Sequence, residues 1–326
     1  MTLRIAHLQL QLLPEDNLVL PAHNKGNTLR GGFGSAFRRL VCVDLRWECA
    51  SCELRYTCPY TAVFNPFVPP DVGRMSGNQN IPRPFVFKPP RSLQTGYARG
   101  EPLVFELVVI GRAIDYLPYF ILAFRELGAL GFGLNRARVR LARVDALGED
   151  GSSTPVYDAT SNLVRPAAPI DLEIDTRDER RGTGDVLALD FLTPTTLRAG
   201  SAVDRDAVVV RRPQFHHVLK RLRDRLNALA TFYGDGPLDL DFKALGDAAE
   251  AVETIEDRTR WVERSRFSAR RNAAHDLSGF VGSITFRGDL ARFLPLLRAG
   301  EYVHVGKNAV FGNGWMQLQQ PTRGES

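Results

Sequence analysis

Two segments of the chain carry the same run of features. That repeat predicts an α+β protein of two tandem β-α-β-β-α-β, ferredoxin-like domains. Phe105 to Gly133 reads as a strand, Gly111-Arg112, Asp115, a helix from Leu117 to Leu127, then Gly131-x-Gly133. Ser283 to Gly314 reads as a strand, Arg287-Gly288, Asp289, a helix from Leu290 to Leu297, then Gly312-x-Gly314. Each half also opens with a strand and a helix. Size agrees: 326 residues, 44% apolar and 24% charged, suit two globular domains of ordinary length. The domains are expected over residues 1–147 and 185–326, joined by a polar, proline-bearing linker over 148–184.

In the first half, Ile5 to Leu13 alternates apolar and polar residues, the pattern of a half-buried strand. After the turn Pro14-Glu15-Asp16-Asn17 and a short apolar piece, Leu18 to Leu20, comes a helix with Thr28 as its expected N-cap. Its apolar positions are Leu29, Phe33, Phe37, Leu40 and Val41. Gly31, Gly32 and Gly34 are costly there, a cost that makes sense if the helix lies close to another backbone. Residues 61–100 are rich in Pro, Gly and Asn and read as an excursion over the surface, with Phe85-Val86-Phe87 as one strand. Pro102 to Gly111 is a strand, and Asp115 to Leu127 a helix with Leu117, Phe120, Ile121 and Phe124 inward. Ala137 to Val144 is a strand with arginines on one face.

The second half opens with a long strand, Asp185 to Leu197, and an amphipathic helix, Pro213 to Phe232. That helix buries Phe215, Val218, Leu219, Leu222, Leu226 and Leu229, with Lys220, Arg221, Arg223 and Arg225 opposite. Ala248 to Arg271 combines a short helix with Trp261, Phe267 and many arginines. Gly279 to Phe286 is a strand and Leu290 to Leu297 a helix. Tyr302 to Val305, carrying His304, reads as a strand that meets Gly306; Gly312 and Gly314 then precede a second alternating run. Such glycines admit left-handed backbone and close approach of another chain segment. Successive N–H groups in such a turn can converge on an anion, with Lys307 and His304 adding charge. The plainer alternative is a glycine-rich hairpin joining two strands.

All four cysteines fall in one window, Cys42, Cys49, Cys52 and Cys58, spaced C-x6-C-x2-C-x5-C. This clustering predicts a four-thiolate metal site inserted after the first helix, not disulfides. Structural zinc is the first assignment; an iron–sulfur cluster is the alternative, because all-cysteine ligation and the Cys58-Pro59 ending also suit it.

The formal charge of +5 and a pI near 9.2 are consistent with a polyanionic ligand such as RNA or DNA. The densest basic patch is Arg258, Arg260, Arg264, Arg266, Arg270 and Arg271, with Trp261 or Phe267 available to stack a base. No stretch reaches the apolar length of a membrane span, and Met1-Thr2-Leu3-Arg4 leads straight into a strand without a signal-peptide core. A cytoplasmic protein without a membrane partner is expected.

Taken together, the sequence resembles the CRISPR-associated endoribonucleases that cut precursor CRISPR RNA within its repeats, members of the RAMP superfamily. The matching pieces are Thr28-Leu29-Arg30-Gly31-Gly32-Phe33-Gly34, Cys49-Ala50-Ser51-Cys52 with Cys58-Pro59-Tyr60, and Ile110-Gly111-Arg112-Ala113. Further matches are Asp257 to Val262, Ser265 to Arg270, and His304-Val305-Gly306-Lys307 through Gly314. They follow the family order over nearly the whole chain. The glycine loop departs from the family pattern on its N-terminal side, where only Gly306 stands.

The resemblance implies RNA cleavage without a catalytic metal or other catalytic cofactor. A ribose 2′-hydroxyl attacks the adjacent phosphate and leaves a 2′,3′-cyclic phosphate and a 5′-hydroxyl. Such chemistry needs a base and an acid near neutrality and positive charge on the phosphorane. Two-metal hydrolysis needs clustered carboxylates instead, and the sequence has no such cluster. By resemblance His23 is the candidate base and His304 the second candidate, with Lys25 and Lys307 stabilising the developing charge. RNA contacts extend to Arg30 and to Gly306, Asn308, Gly312 and Gly314. The implied partners are repeat RNA, as precursor and mature guide, and other CRISPR effector subunits. A non-catalytic RAMP-type RNA-binding subunit and a metal-stabilised scaffold are the competing functions.

Overall fold

The computed structural model describes residues 2–68, 81–175, 186–200, 208–268 and 273–319. The chain divides into two units: Leu3–Met75 with Asn80–Asp171, and Leu172–Ser326 with Met1–Thr2 and Ser76–Gln79.

The N-terminal unit runs β1 (Thr2–Pro14), β2 (Leu18–Val19), α1 (Lys25–Val41), α2 (Pro59–Phe64), β3 (Phe85–Lys88), β4 (Gly96–Tyr97) and β5 (Leu103–Ile110). It continues with α3 (Leu117–Leu130), β6 (Val139–Leu147), β7 (Ser153–Asp158), β8 (Leu163–Val164) and β9 (Ile170–Glu173). β1 is central because its alternation buries Leu8, Leu10 and Leu12 on one face. Its neighbours are β5 and β6, both antiparallel, and β3 pairs antiparallel with β5. Counting only the four strands of the repeat, the sheet order is fourth, first, third, second. This is the order a β-α-β-β-α-β chain adopts.

Phe33 of α1 is the centre of the core. Its ring lies 4.8 Å from Phe124 in a stacked pair and 5.1 to 5.9 Å from Phe37, Phe64, Phe85, Phe87 and Phe120. The glycines around it are explained by crowding from side chains rather than from backbone. A Cβ on Gly32 would sit 2.7 Å from Leu127 Cδ1 and one on Gly34 3.1 Å from Phe64 Cε1, whereas Gly31 faces open space. Thr28 is not the N-cap. Asn24 takes that place in a left-handed conformation (φ 62°), because its carbonyl already accepts the N–H of Asn27 and of Thr28.

Part of the expected linker over 148–184 is paired strand, while residues 176–185 lie outside the described residues. β7 pairs with β6, β8 with β7, and β9 with β1, so residues 153–173 extend the first sheet. Val156, Tyr157, Ile170 and Leu172 are buried, whereas Leu163 and Val164 on β8 face outward. Polar turns at Gly148–Ser152 and Asp158–Asn162 hide this pattern in the sequence.

The C-terminal unit runs β10 (Val186–Thr195), β11 (Leu197–Arg198), β12 (Val209–Val210), α4 (Phe215–Tyr233), α5 (Phe242–Glu250), β13 (Glu253–Asp257) and β14 (Arg260–Val262). Then come β15 (Ser265–Ser268), β16 (Ala273–Asp276), β17 (Gly279–Arg287), α6 (Leu294–Val303) and β18 (Met316–Gln319). The sheet order β13-β17-β10-β18 repeats the arrangement of the first unit, again antiparallel throughout. α4 buries the six apolar residues its spacing predicts. Its basic residues are engaged within the unit: Lys220 pairs with Glu250 at 2.5 Å, Arg223 with Asp224 at 2.8 Å, and Arg225 Nε donates to the Val303 carbonyl at 2.8 Å. The helix expected within 248–271 ends at Glu250, and the arginine-bearing stretch beyond it is strands. Among the described residues no helix is long and apolar enough to cross a membrane.

Candidate nucleic-acid interface

The glycine-rich stretch is a pinned loop, not a strand-to-strand hairpin. α6 runs on through Tyr302 and Val303, and His304 ends it with φ 62° and ψ 169°. Positive φ then recurs at Gly306, Asn308, Gly312 and Gly314, which is why the stretch is rich in Gly and Asn. The loop closes on itself through Val305 N–H to the Gly314 carbonyl at 2.9 Å. It is fastened to the end of β10 by Gly314 N–H to Pro194 O and Lys307 N–H to Thr196 O, both 3.1 Å. Thr193 adds two more bonds: its hydroxyl donates to Gly312 O at 2.7 Å and accepts from Trp315 N–H at 2.9 Å. β10 is irregular between Phe191 and Thr195, and this irregularity frees Thr193 and Pro194 for that task.

The same loop holds the basic hairpin β15–β16, in which Ser265 lies opposite Asp276 and Arg266 opposite His275. Asn308 Nδ2 donates to Asp276 O at 3.3 Å, and Asn313 Nδ2 to Leu277 O at 3.1 Å. On the hairpin side, Leu277 N–H donates to Arg264 O and Arg264 N–H to Ser278 Oγ, both 2.9 Å. Loop, hairpin and β10 are therefore one hydrogen-bonded body.

Charge collects where they meet. Burial lowers the pKa of the Lys307 ammonium and Arg198 lowers it further, while Asp276 raises it. Asp276 is held as a carboxylate, below its usual range, by hydrogen bonds from the Ser278 hydroxyl and backbone. Lys307 is exposed, and two like charges opposed by one carboxylate make a site that an anion relieves. Arg198 has no local signal in the sequence. It follows a strand as an isolated cation and is recognised only once β11 places it by Lys307. Thr193 and Asn313 escape for the same reason, since their partners are 119 and 122 residues away for Thr193 and 36 residues away for Asn313.

The remaining expected residues are distributed as follows. Arg258 is exposed and paired with Glu256 at 2.7 Å, and Arg260 is exposed on β14. Arg266 lies on β15, and Arg270 and Arg271 fall outside the described residues. Trp261 has one ring face occupied by the Arg211 guanidinium at 4.6 Å, and its Nε1–H donates to Glu263 at 2.8 Å.

Several expectations are corrected. His304 is on no strand and is fully buried; its ring stacks on Trp315 at 5.8 Å and its Nδ1 lies 3.1 Å from the Asn313 carbonyl. Enclosed in this way, the side chain anchors the loop. Lys25 is only 2% exposed and donates to the carbonyls of Ala22 and Ser92 at 3.3 and 2.5 Å, with its pKa lowered by burial. It straps the turn that carries His23, which is itself exposed just before α1. Arg30 is half-buried with its guanidinium 5.5 Å over the Phe64 ring, a packing contact inside the N-terminal unit. The glycine loop, read from sequence as a turn whose N–H groups can converge on an anion, has its Val305, Lys307 and Gly314 N–H groups engaged by the bonds above.

All four cysteines are free thiols of intermediate exposure. Among the described residues no three His, Cys, Asp or Glu side chains are gathered closely enough to hold a metal ion. Cys42 Sγ–H donates to the Asp44 carbonyl at 3.1 Å. The thiols still share one neighbourhood: burial pushes the Cys49 thiol up, Arg38 pulls it down, and Cys42, Cys58 and Cys52 push it up further.

Comparison with known proteins agrees with this division. Residues 3–169 match a family of N-terminal domains, AF_1859_N, and residues 189–316 match the CRISPR-associated endoribonuclease Cas6 family. An uncharacterized protein of Archaeoglobus fulgidus is 28% identical over 299 residues, covering 90% of this chain and 91% of its own. Among solved structures, Thermus thermophilus Cas6 aligns with a TM-score of 0.53 at 15% identity, over 98% of this chain and 99% of that one. A Cas6 product complex gives 0.55 at 17% identity, over 97% and 99%. A partial Cas6-RT-Cas1–Cas2 complex gives 0.56 at 13% identity, over 99% of this chain and 47% of that one. At such identities the structural likeness is one of fold. With residues 3–169 matched, the chain belongs to the family that carries the AF_1859_N N-terminal domain, and over residues 189–316 it is similar to the CRISPR-associated endoribonuclease Cas6 family.

Proposed function

We propose that the protein cuts CRISPR precursor RNA within its repeats, without a catalytic metal, to make mature guide RNAs. The 2′-hydroxyl gives its proton to a base and attacks the adjacent phosphorus; the 5′-oxygen leaves, takes up a proton, and a 2′,3′-cyclic phosphate remains. The observation that carries this reading is the anchored glycine loop, whose Lys307 N–H donates to the Thr196 carbonyl at 3.1 Å, two residues before Arg198. There a phosphodiester is drawn by two cations, one of them on a loop already in place. His23, exposed before α1 in the N-terminal unit, is the proposed base; in the C-terminal unit, Lys307 and Arg198 are proposed to bind RNA phosphate. Repeat RNA is the proposed partner, bound by two tandem ferredoxin-like units. The likeness to a Cas6-RT-Cas1–Cas2 assembly supports other CRISPR subunits as further partners.

The test is a labelled repeat RNA incubated with the protein in EDTA, followed by analysis of the product ends. Cleavage with cyclic-phosphate ends supports the proposal, and His23→Ala abolishes it while sparing binding. The burial of His304 and of Lys25 favours a second reading, a non-catalytic RNA-binding subunit. It predicts a shifted but intact RNA in the same assay. An RNA neither shifted nor cut overturns both.

A further inference from the structure

The stretch between α1 and α2 folds without a core. No residue from Cys42 to Cys58 is buried, and of the six that are half-buried, four are the cysteines. Large apolar side chains in the same stretch face outward: Val43 at 69% exposure, Leu45 at 50%, Trp47 at 49%, Leu54 at 46% and Tyr56 at 49%. The usual order is inverted, with thiols in and hydrocarbon out. Its backbone bonds are local, each spanning three or four residues: Trp47 to Asp44, Ser51 to Glu48, Cys52 to Cys49, Arg55 to Cys52 and Cys58 to Leu54. From outside, Arg38 of α1 ties it by donating to the carbonyls of Leu45 and Trp47 at 3.0 and 2.8 Å. Local turns, one arginine and the Tyr56–Phe67 ring contact at 6.5 Å are a slender hold on a segment whose ordering costs roughly 1 to 2 kcal/mol per residue. Something further must cross-link it.

We propose that Cys42, Cys49, Cys52 and Cys58 bind one zinc ion that clips the end of α1 to the start of α2. Cys42 is the C-cap of α1 and Cys58 the N-cap of α2, so the outer ligands sit at the two helix ends that need joining. Cys49 and Cys52 stand on one turn between them, closed by Cys52 N–H to Cys49 O at 3.4 Å. Among the described residues the thiols are not gathered into a shell, and binding of one ion by all four requires the loop to close around it. Each Sγ–H releases its proton to solvent as its Sγ–Zn bond forms, and no oxidant or reductant takes part. Zinc suits a cross-link because it asks for four thiolates and nothing redox-active. Arg38 near Cys49 offsets the surplus negative charge. The proposal stands apart from RNA cleavage, and a protein inactive on RNA still answers it.

The full-length protein, purified in reducing buffer without chelator, is expected to carry one zinc per chain by elemental analysis. A mercurial thiol reagent should release it. Cobalt added to the metal-free protein should give the intense near-ultraviolet bands of cobalt–thiolate bonding, and Cys49→Ser with Cys52→Ser should lose them. If the double variant does not fold, the zinc content and mercurial release of the unaltered protein decide alone. Two disulfides under non-reducing mass spectrometry, or four reduced thiols with no zinc, would overturn the proposal. A visible iron–sulfur band would overturn the assignment to zinc.

Discussion

Replacing Gly314 with alanine tests the pinned loop most directly. Gly314 has φ +72°, and a Cβ there would stand 1.8 Å from the Val305 carbonyl oxygen and 2.9 Å from its carbon. The conformation alone costs an alanine about 1 to 2 kcal/mol. The collision is with backbone, so it cannot be relieved by a rotamer change. Strand and loop must part, weakening the Val305–Gly314 and Gly314–Pro194 hydrogen bonds. Each such bond contributes about 1 kcal/mol net, with more lost if a buried group is left unpaired. The sum is about 3 to 5 kcal/mol. At roughly 2 to 4 °C per kcal/mol, the C-terminal unit should melt some 6 to 20 °C lower, read by calorimetry on the full-length protein. RNA binding should fall with it, because Lys307 is held by the same loop. A Gly314→Ala protein that melts within 2 °C of the parent and binds RNA as tightly would refute the close approach and everything built on it.

Other outcomes follow from the same geometry. Lys307→Ala and Arg198→Ala should each weaken RNA binding and lower the slope of log K against log salt by about 1, measured by fluorescence anisotropy at several salt concentrations. His304→Ala should cost about 2 to 4 kcal/mol of stability, as removal of a fully buried packed ring does, and a change in cleavage with unchanged melting would contradict its anchoring role. Gly31→Ala, facing open space in a helix, should stabilise the N-terminal unit by about 0.5 to 1 kcal/mol, whereas Gly32→Ala should destabilise it against Leu127. His217 has its pKa lowered to about 4 by burial, then by His216, Lys220 and Arg221. Its neutral Nδ1 accepts the Gln214 N–H in the capping box of α4. Stability from this group is present above the unfolded value near 6.5 and lost as pH falls toward 4, about 1 to 2 kcal/mol after allowing for solvent screening. His217→Gln, which keeps the cap, should flatten melting temperature against pH across that window.

Much of the architecture is legible from the sequence because it is written in local periodicity. The alternation of β1, the heptad-like spacing of α4 and the repeated strand–helix–glycine run identify the elements that form the two sheets. What stays hidden is pairing at a distance. Residues 153–173 read as a linker because Val156, Tyr157, Ile170 and Leu172 are too few and too scattered to show against the polar turns around them. His304 reads as a strand residue because Tyr302 to Val305 is apolar; it is a helix end, a distinction set by its positive φ and by Trp315 stacking on it. Lys25 looks like a cation for phosphate until the Ala22 and Ser92 carbonyls claim it. In the site itself, Lys307 and the glycines are visible by composition, while Arg198, Thr193 and Asn313 acquire meaning only from long-range contacts.

The fastening of the glycine loop to both β10 and the β15–β16 hairpin has an energetic consequence for whatever strand settles there. Asn308 and Asn313 have already spent the rotamer freedom that an unanchored loop surrenders on complex formation. Little ordering cost remains to be subtracted from contact energy at that junction. A nucleotide meets a receptor shaped beforehand, so selectivity there arises from how the ligand's own backbone can bend to match it.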